Sequence, residues 1–149
     1  MNQKHLAMLA ALGLGAAALT GCQTTASMEH DHSGMDPVPA AGLTATEWKV
    51  SQIDGAAVPA GFNAVLHFQG NGTLTGSLGC NNGSAQYKHS GHMLTIGNMV
   101  STKMACDQMA WETKLANALT ATQHVQLTST NGLALYDGQM AVRVTLQPR

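Results

Sequence analysis

Residues 65–78, with the sequence VLHFQGNGTLTGSL, contain two strand patterns separated by a turn and decide the fold class. Three of the first four residues are large and apolar, as in a buried strand, and residues 73–78 alternate between polar and apolar positions with a period of two. The QGNG turn at residues 69–72 supplies Asn and Gly, which tolerate the positive φ angles of a tight connection. The stretch therefore predicts an antiparallel β-hairpin.

The same pattern of strands and turns recurs on both sides of this hairpin. Further strands are predicted at residues 43–53, 86–88, 92–96, 125–128, 133–136 and 140–146, with turns at Asp54-Gly55, Asn82-Gly83, Asn131-Gly132 and Asp137-Gly138. Residues 106–122 differ because they lack Gly and Pro, and Trp111, Leu115 and Leu119 have the spacing of one helix face. Strands, one helix and further strands predict an α+β domain that is mainly antiparallel β.

The N-terminus has the organisation of a secretory signal peptide. Lys4 supplies the positive charge, residues 6–19 form a short apolar run, and Gly21 precedes Cys22. The sequence Leu-Thr-Gly-Cys at 19–22 resembles the lipobox of bacterial lipoproteins, in which a diacylglyceryl group is attached to the cysteine thiol, cleavage falls before that residue, and the new N-terminus is acylated. The resemblance implies a signal peptide over residues 1–21 and lipidation of Cys22. The alternative, a membrane-spanning helix, needs roughly 20 apolar residues, and this run is shorter.

The residues after Cys22 predict a tether and one domain. Residues 22–42 have no hydrophobic period and are rich in Thr, Ser, Ala, Pro and His, which favours a flexible tether, and residues 43–149 carry the domain pattern. Resemblance to sorted bacterial lipoproteins places the protein at the outer membrane facing the periplasm, because Gln23 stands where the inner-membrane retention signal has an aspartate. Each buried methylene of an acyl chain contributes about 0.8 kcal/mol, so three chains would anchor the protein firmly.

Once Cys22 is lipidated, two cysteines remain. Disulfides persist in an oxidising compartment, so Cys80 and Cys106 are expected to form a structural bridge. Closing a loop of about 26 residues would stabilise the fold by roughly 3 kcal/mol. Two unpaired buried thiols are the alternative. A redox-active pair is less favoured because these cysteines lack the CxxC spacing that lowers a thiol pKa.

The domain contains two short motifs, Gly79-Cys80-Asn81 and Thr102-Lys103-Met104-Ala105-Cys106, and it has Trp48 in the predicted first strand and Glu112 and Leu119 in the predicted helix. These motifs and residues resemble the META domain family, to which the heat-shock lipoprotein HslJ belongs. The resemblance implies a compact β-rich sheet or partly closed barrel with one packed helix, and an envelope role in stress tolerance, secretion or surface organisation. It supplies no accepted catalytic residues.

The residue types of these motifs also support a structural interpretation. Asn81 is suited to a left-handed turn with hydrogen bonds to neighbouring backbone, and Thr102 or Ser101 to capping the following helix. A role for Asn81 and Thr102 in a ligand pocket is the alternative.

The tether contains the sharpest candidate for chemistry. Met28, His30, His32 and Met35 are potential ligands for copper, because thioether sulfur suits Cu(I) and imidazole suits Cu(II) or zinc. The segment resembles the Met/His-rich repeats of periplasmic copper-handling proteins, but only one copy is present. A polar linker with chance histidines is the alternative, and any binding is expected to be weak because the segment is flexible.

The histidines of the domain indicate a metal site less clearly than those of the tether do. His67, His89, His92 and His124 are scattered without metal-binding spacing, and His89 and His92 flank a hairpin turn. The domain is therefore expected to bind no metal tightly.

Composition and the motifs present argue against several classes of function. Charged residues make up 10% of the chain, against about 25% in a typical soluble protein, and the net charge is −1. No clustered basic face is present, so nucleic acid is not the expected partner. No nucleophile elbow, Walker loop or dinucleotide-binding motif is present. We expect a monomeric, non-enzymatic lipoprotein that binds the membrane through Cys22 and an envelope protein or ligand through its domain, with metal buffering by the tether as the alternative.

The hydrophobic pattern also predicts which side chains form the core. The expected buried residues are Trp48, Leu66, Phe68, Leu74, Trp111, Leu115, Leu119, Leu127 and Leu135.

Overall fold

The computed structural model describes residues 36–149, which contain two helices and ten strands. The elements are α1 (Ala40–Thr44), β1 (Glu47–Ile53), β2 (Ala56–Ala57), β3 (Val65–Phe68), β4 (Thr73–Ser77), β5 (Asn82–Ser90), β6 (Met93–Ile96), β7 (Val100–Ser101), α2 (Met109–Thr120), β8 (His124–Leu127), β9 (Leu133–Tyr136) and β10 (Val142–Pro148). The predicted signal peptide, the predicted lipidation site Cys22 and the predicted metal ligands Met28, His30, His32 and Met35 lie outside the described residues.

Eight of the strands form a closed antiparallel barrel. Neighbouring strands follow the order β1-β3-β4-β5-β6-β8-β9-β10, and β10 pairs with β1 to complete the ring. Trp48 shows the closure directly, because it pairs with Leu66 of β3 on one side and with Pro148 of β10 on the other. The short strands β2 and β7 pair with β1 and β5 outside this ring. The expected mainly antiparallel β fold is confirmed, and full closure leaves no unpaired edge in the ring itself.

The inward-facing residues of the barrel and one face of α2 form the core. Alternate residues of β1 and β3 are buried, as the period of two requires. Leu115, Ala118 and Leu119 of α2 are also buried, and the helix packs against β1, β6 and β10. The predicted helix is confirmed, and it begins and ends a few residues inside its expected bounds.

Most predicted hairpins are confirmed, but the turn predicted at Asn82-Gly83 is wrong. Both residues lie in β5, where Gly83 pairs with Gly76 of β4 and with Ser101 of β7. The connection instead occupies residues 78–81, and the Leu78 N–H donates to the Asn81 carbonyl at 2.7 Å. Asn-Gly favours a turn locally, but here strands on both sides hydrogen-bond to it and impose the extended conformation.

The N-terminal end of the domain differs from the expected strand at residues 43–53. That strand begins only at Glu47, and residues 40–44 form the short helix α1. Val38 is 1% exposed, and the Trp48 indole N–H donates to the Leu43 carbonyl at 2.9 Å. Val38, within the predicted tether of residues 22–42, is therefore buried in the core of the domain. No helix within residues 36–149 has both the length and the hydrophobicity needed to cross a bilayer.

Seven of the nine predicted core residues are buried, and two are not. Leu127 is 46% exposed because it ends β8 at the rim of the barrel, although its partner Leu133 is buried. Trp111 is only half-buried, near the start of α2. Its ring packs against the Phe62 ring, with the two centroids 6.2 Å apart. The Lys114 ammonium lies over the Trp111 ring, 4.8 Å from its centroid.

The two tryptophans should respond differently to truncation. We expect Trp48→Ala to lower the free energy of unfolding by about 3–5 kcal/mol, the range for a buried aromatic residue, and Trp111→Ala to lower it by less than that range. Urea unfolding of both variants at neutral pH measures the difference. Equal losses would contradict the half-buried position of Trp111.

Candidate functional site

The loop between β4 and β5 contains the Gly-Cys-Asn motif. Gly79 adopts a φ of 127°, a conformation that side-chain-bearing residues rarely adopt. A Cβ atom on Gly79 would lie 2.6 Å from Cε2 of the buried Phe62 ring, so only glycine allows the loop to lie against that ring. The backbone amides of the two following residues then point toward α2.

The carboxylate of Glu112 binds this loop from the first turn of α2. Its Oε1 accepts hydrogen bonds from the backbone N–H groups of Cys80 and Asn81, both at 2.5 Å. Its Oε2 accepts a third bond from Asn81 Nδ2 at 2.7 Å. Glu112 is buried, so these three donors replace the water that a carboxylate would otherwise require.

Asn81 connects the same loop to the segment before α2. Its Nδ2 also donates to the Met104 carbonyl at 3.2 Å, and its Oδ1 accepts from the Met104 N–H at 2.7 Å and from Thr102 Oγ1 at 2.8 Å. All four hydrogen-bonding positions of the Asn81 amide are therefore occupied. We call these bonds, together with those of Glu112, the Asn81–Glu112 network.

The network corrects two of the predicted residue roles. Asn81 has no positive φ, so it does not hold a left-handed turn, and Gly79 takes that conformation instead. Thr102 does not cap α2, whose N-terminal flanking residue is Gln108 without a side-chain cap. The Thr102 hydroxyl instead accepts from the Asn82 N–H at 3.2 Å while donating to Asn81. The Asn81 side chain bonds backbone as predicted, but at Met104, 23 residues away, and not at neighbouring residues.

Hydrogen bonding determines the protonation state of Glu112. Burial of the carboxylate raises its pKa, but the bonds from the Asn81 side chain and from the two backbone amides lower it by more, so the pKa lies below its ordinary value of 4.5. Glu112 is therefore ionised at neutral pH. A buried anion with three donors ties the loop and the helix into one unit.

A disulfide between Cys80 and Cys106 lies beside the network, with the two Cα atoms 6.6 Å apart. It joins the same two segments that Asn81 connects. The two sulfur atoms and a Glu112 oxygen all lie within 4.8 Å of one another, close enough to share an ion. Because the sulfurs are bonded to each other and the carboxylate has its three donors, this group has the chemistry of a structural junction and not of a metal centre.

The segment from Val100 to Met109, which we call the docking segment, lies over this junction and is almost entirely exposed. It contains the three most exposed large hydrophobic residues of the described part of the chain: Val100 (72%), Met104 (54%) and Met109 (47%). Residues 100–102 line one side of an open depression of about 390 Å³, and residues 82–84 of β5 line the other. Exposed apolar side chains in a fixed segment are typical of a protein-binding surface.

The structure brings all the predicted motif residues together at this junction. They are Gly79, Cys80, Asn81, Thr102, Met104, Ala105 and Cys106. Glu112 was predicted only to lie on the helix, and no sequence motif predicted its contact with the loop. A lone acidic residue on the otherwise apolar face of α2 was the available signal, because such a residue needs buried partners.

The domain histidines do not remain scattered in the structure. His92 and His124 lie side by side with ring centroids 6.1 Å apart and an angle of 7° between the ring planes. His89 has a separate local contact, in which its Nε2 lies 2.9 Å from the Gly91 carbonyl oxygen. The sequence spacing of these two histidines, one in the turn before β6 and one at the start of β8, gave no indication that they would meet.

The chain belongs to the META domain family, whose model matches residues 41–149. The matched region includes the barrel, the disulfide, the Asn81–Glu112 network and the docking segment. No curated protein matches the sequence.

Three solved structures resemble this fold. A protein from Burkholderia xenovorans, solved by NMR, is 27% identical with a TM-score of 0.59, and the match covers 78% of this chain and 92% of that one. A second NMR structure is 21% identical with a TM-score of 0.55, covering 70% and 90% of the two chains. The crystal structure of a DUF4847 family protein from Bacteroides vulgatus is 14% identical with a TM-score of 0.53, covering 70% and 92%. The last two share the fold alone.

The Asn81–Glu112 network should contribute measurably to stability. In Glu112→Gln, the amide oxygen can still accept from the two backbone N–H groups, but the amide nitrogen then faces the Asn81 donor. Asn81 cannot flip to compensate, because the Met104 N–H donates to its Oδ1. We expect a loss of about 1–3 kcal/mol at pH 7, measured by urea unfolding. The matched control, Glu47→Gln, removes an exposed ion pair with Arg149 and should cost at most about 1 kcal/mol.

The pH dependence of this loss has a defined sign. The pKa of Glu112 is lowered in the folded state, so its stabilisation is present above pH 4.5 and disappears as the pH falls through the folded-state pKa. The difference between wild type and Glu112→Gln should therefore shrink below pH 4.5. The pKa of Asp137 is also lowered, chiefly by the hydrogen bond from the Ala141 N–H, but both proteins retain Asp137. A difference that is constant with pH would contradict an ionised Glu112.

Proposed function

We propose that this chain is a non-enzymatic envelope lipoprotein that binds another envelope protein through its docking segment. The observation that carries the proposal is the exposure of Val100, Met104 and Met109 on a segment joined to the barrel by the disulfide and the Asn81–Glu112 network. A fixed segment loses little conformational entropy on binding, so its apolar contacts contribute more of their energy to affinity.

The chemistry of the segment favours a protein partner with an apolar pocket. Methionine is enriched at interfaces because its flexible thioether fits irregular surfaces. Lys103 and Asp107 have opposite charges, so the segment has no net attraction for a polyanion. Membership of the META family supports a role in envelope stress tolerance. The family has no accepted catalytic residues, which supports a non-enzymatic role.

The expected anchor places such a segment where envelope partners are found. We propose that Cys22 is lipidated and that the protein is held at the outer membrane, facing the periplasm, by its acyl chains. The lipobox-like sequence at 19–22 and Gln23 support this location. The residues between Cys22 and the packed Val38 then set the distance between membrane and barrel.

The docking segment can be tested by crosslinking in intact envelopes, with the captured protein identified by mass spectrometry. We expect Val100→Asp combined with Met104→Asp to reduce recovery of that protein about tenfold or more, because charges replace apolar contacts at the centre of the interface. The matched control combines Leu127→Asp with Val142→Asp, which places the same two charges at exposed positions in β8 and β10 outside the segment.

Thermal unfolding must first show that both variants remain folded. Loss of the partner in the control as well, or retention in the double variant, would contradict a site at the docking segment.

The same membrane fractions test the anchor, since Cys22→Ala should release the protein from the outer membrane. If Cys22→Ala releases the protein and the released protein still binds its partner, the lipid anchor and the docking segment act independently.

Copper or zinc buffering by the tether is a second candidate function. The Met/His composition of residues 28–35 favours it, with Met28, His30, His32 and Met35 as the ligands. Such a site would act independently of the docking segment, because its ligands belong to a separate part of the chain.

Replacing the two methionines with leucine and the two histidines with asparagine tests this candidate. We expect this tether variant to lose copper binding in the mature protein, measured by calorimetry, while its unfolding temperature without metal is unchanged. Binding by the wild-type tether should also weaken as the pH falls through about 6.5, because a protonated imidazole cannot bind a metal. Unchanged copper tolerance of cells carrying the variant would argue against a buffering role.

A further inference from the structure

We infer that the outer wall of the barrel carries a copper site formed by His92, Met93 and His124. His92 ends the turn before β6, Met93 begins β6 and His124 begins β8, and these two strands are adjacent in the ring. The site is separate from both the docking segment and the tether. It also departs from the expectation that the domain binds no metal tightly.

The backbone places Met93 and His124 directly opposite each other. They are paired across β6 and β8, with the Leu94 N–H donating to the Gln123 carbonyl at 3.1 Å and the Val125 N–H donating to the His92 carbonyl at 2.8 Å. These bonds lie on either side of the pair and none joins its two members. Residues in such a non-hydrogen-bonded pair have the closest side chains in an antiparallel sheet. The Met93 thioether is therefore a neighbour of the His124 ring.

The second imidazole lies on the same patch. The His92 and His124 rings are nearly parallel, with centroids 6.1 Å apart. Two rings on one ion are separated by two metal–nitrogen bonds of about 2.0–2.1 Å each plus the distances from the nitrogens to the ring centres. The observed separation is within reach of that arrangement after rotation of the side chains. His92 and Met93 are exposed, so an ion can approach from solvent.

An unsatisfied nitrogen provides an independent indication of a ligand. His124 Nδ1 is buried and has no hydrogen-bond partner among the described residues. In the tautomer with its proton on Nε2, Nδ1 keeps a lone pair that no donor satisfies. A metal ion can satisfy that lone pair. Sharing an ion with His92 requires the His124 ring to rotate, because the two ring centroids are 6.1 Å apart.

The ligand set favours copper. Two imidazoles and one thioether combine borderline and soft donors, a combination that suits copper better than Mg²⁺ or Ca²⁺, which require oxygen ligands. Zinc accepts the two imidazoles but gains little from the thioether. The contribution of Met93 therefore distinguishes the two ions.

The test uses the mature lipidated protein in detergent, with Met28, His30, His32 and Met35 replaced so that the tether cannot contribute. Copper and zinc are titrated separately, and ascorbate, used without added thiols, keeps Cu(I) reduced. Binding is measured by calorimetry and by the unfolding temperature. We expect copper to raise the unfolding temperature, because the site exists only in the folded barrel. His124→Asn and His92→Asn should each weaken binding by more than the 10–100-fold that loss of a second-shell partner costs.

Two further variants and the exposed position of His92 keep the outcome clear. Met93→Leu should weaken Cu(I) binding while leaving zinc binding unchanged. His67→Asn is the matched control, since His67 lies on β3, away from the paired strands, and its loss should leave both affinities unchanged. His92 is exposed, so His92→Asn tests the site even if His124→Asn unfolds. Absence of copper binding in the parent protein, or binding that persists in His92→Asn, would overturn the inference.

Discussion

The contact between the Glu112 carboxylate and two consecutive backbone amides is the constraint on which the rest of the candidate site depends. A buried carboxylate is stable only if donors replace its water, and the amides of Cys80 and Asn81 provide them. They can do so only because Gly79 allows the loop to turn against Phe62. The loop therefore has one conformation, and α2 has one position above the barrel.

The disulfide and the network act on the same junction in different ways. The covalent bond between Cys80 and Cys106 mainly restricts the unfolded chain, so it stabilises the fold with little influence on local geometry. The hydrogen bonds of Asn81 are directional, and they set the path of the backbone at Met104. Together they hold the docking segment, from β7 to the first residue of α2, so that its methionine and valine side chains are exposed in a constant arrangement.

Closure of the barrel explains why functional residues lie outside the core. The interior is filled with apolar side chains, so chemistry is left to the connections and to the outer face of the wall. The docking segment uses a connection, between β7 and α2. The His92–His124 pair uses the outer face, where adjacent strands bring together residues that are far apart along the chain.

Local chemistry in the sequence determined the hairpins, the central helix and the buried alternation of the strands. Asp54 and Asn131 adopt positive φ angles in their predicted turns, and Val65–Phe68 forms a strand with the predicted bounds. The motif residues and the cysteine pair were also visible, through the resemblance to a known family and the count of cysteines.

Tertiary structure decided whatever depends on neighbours that are distant in the chain. Asn82-Gly83 became a strand because β4 and β7 pair with it, and Leu127 became exposed because the barrel ends beside it. The role of Glu112 and the meeting of His92 with His124 depend on closure of the ring and on the position of α2. Side-chain pattern records the local preference of a residue, whereas these contacts arise only when strand pairing has brought separate segments together.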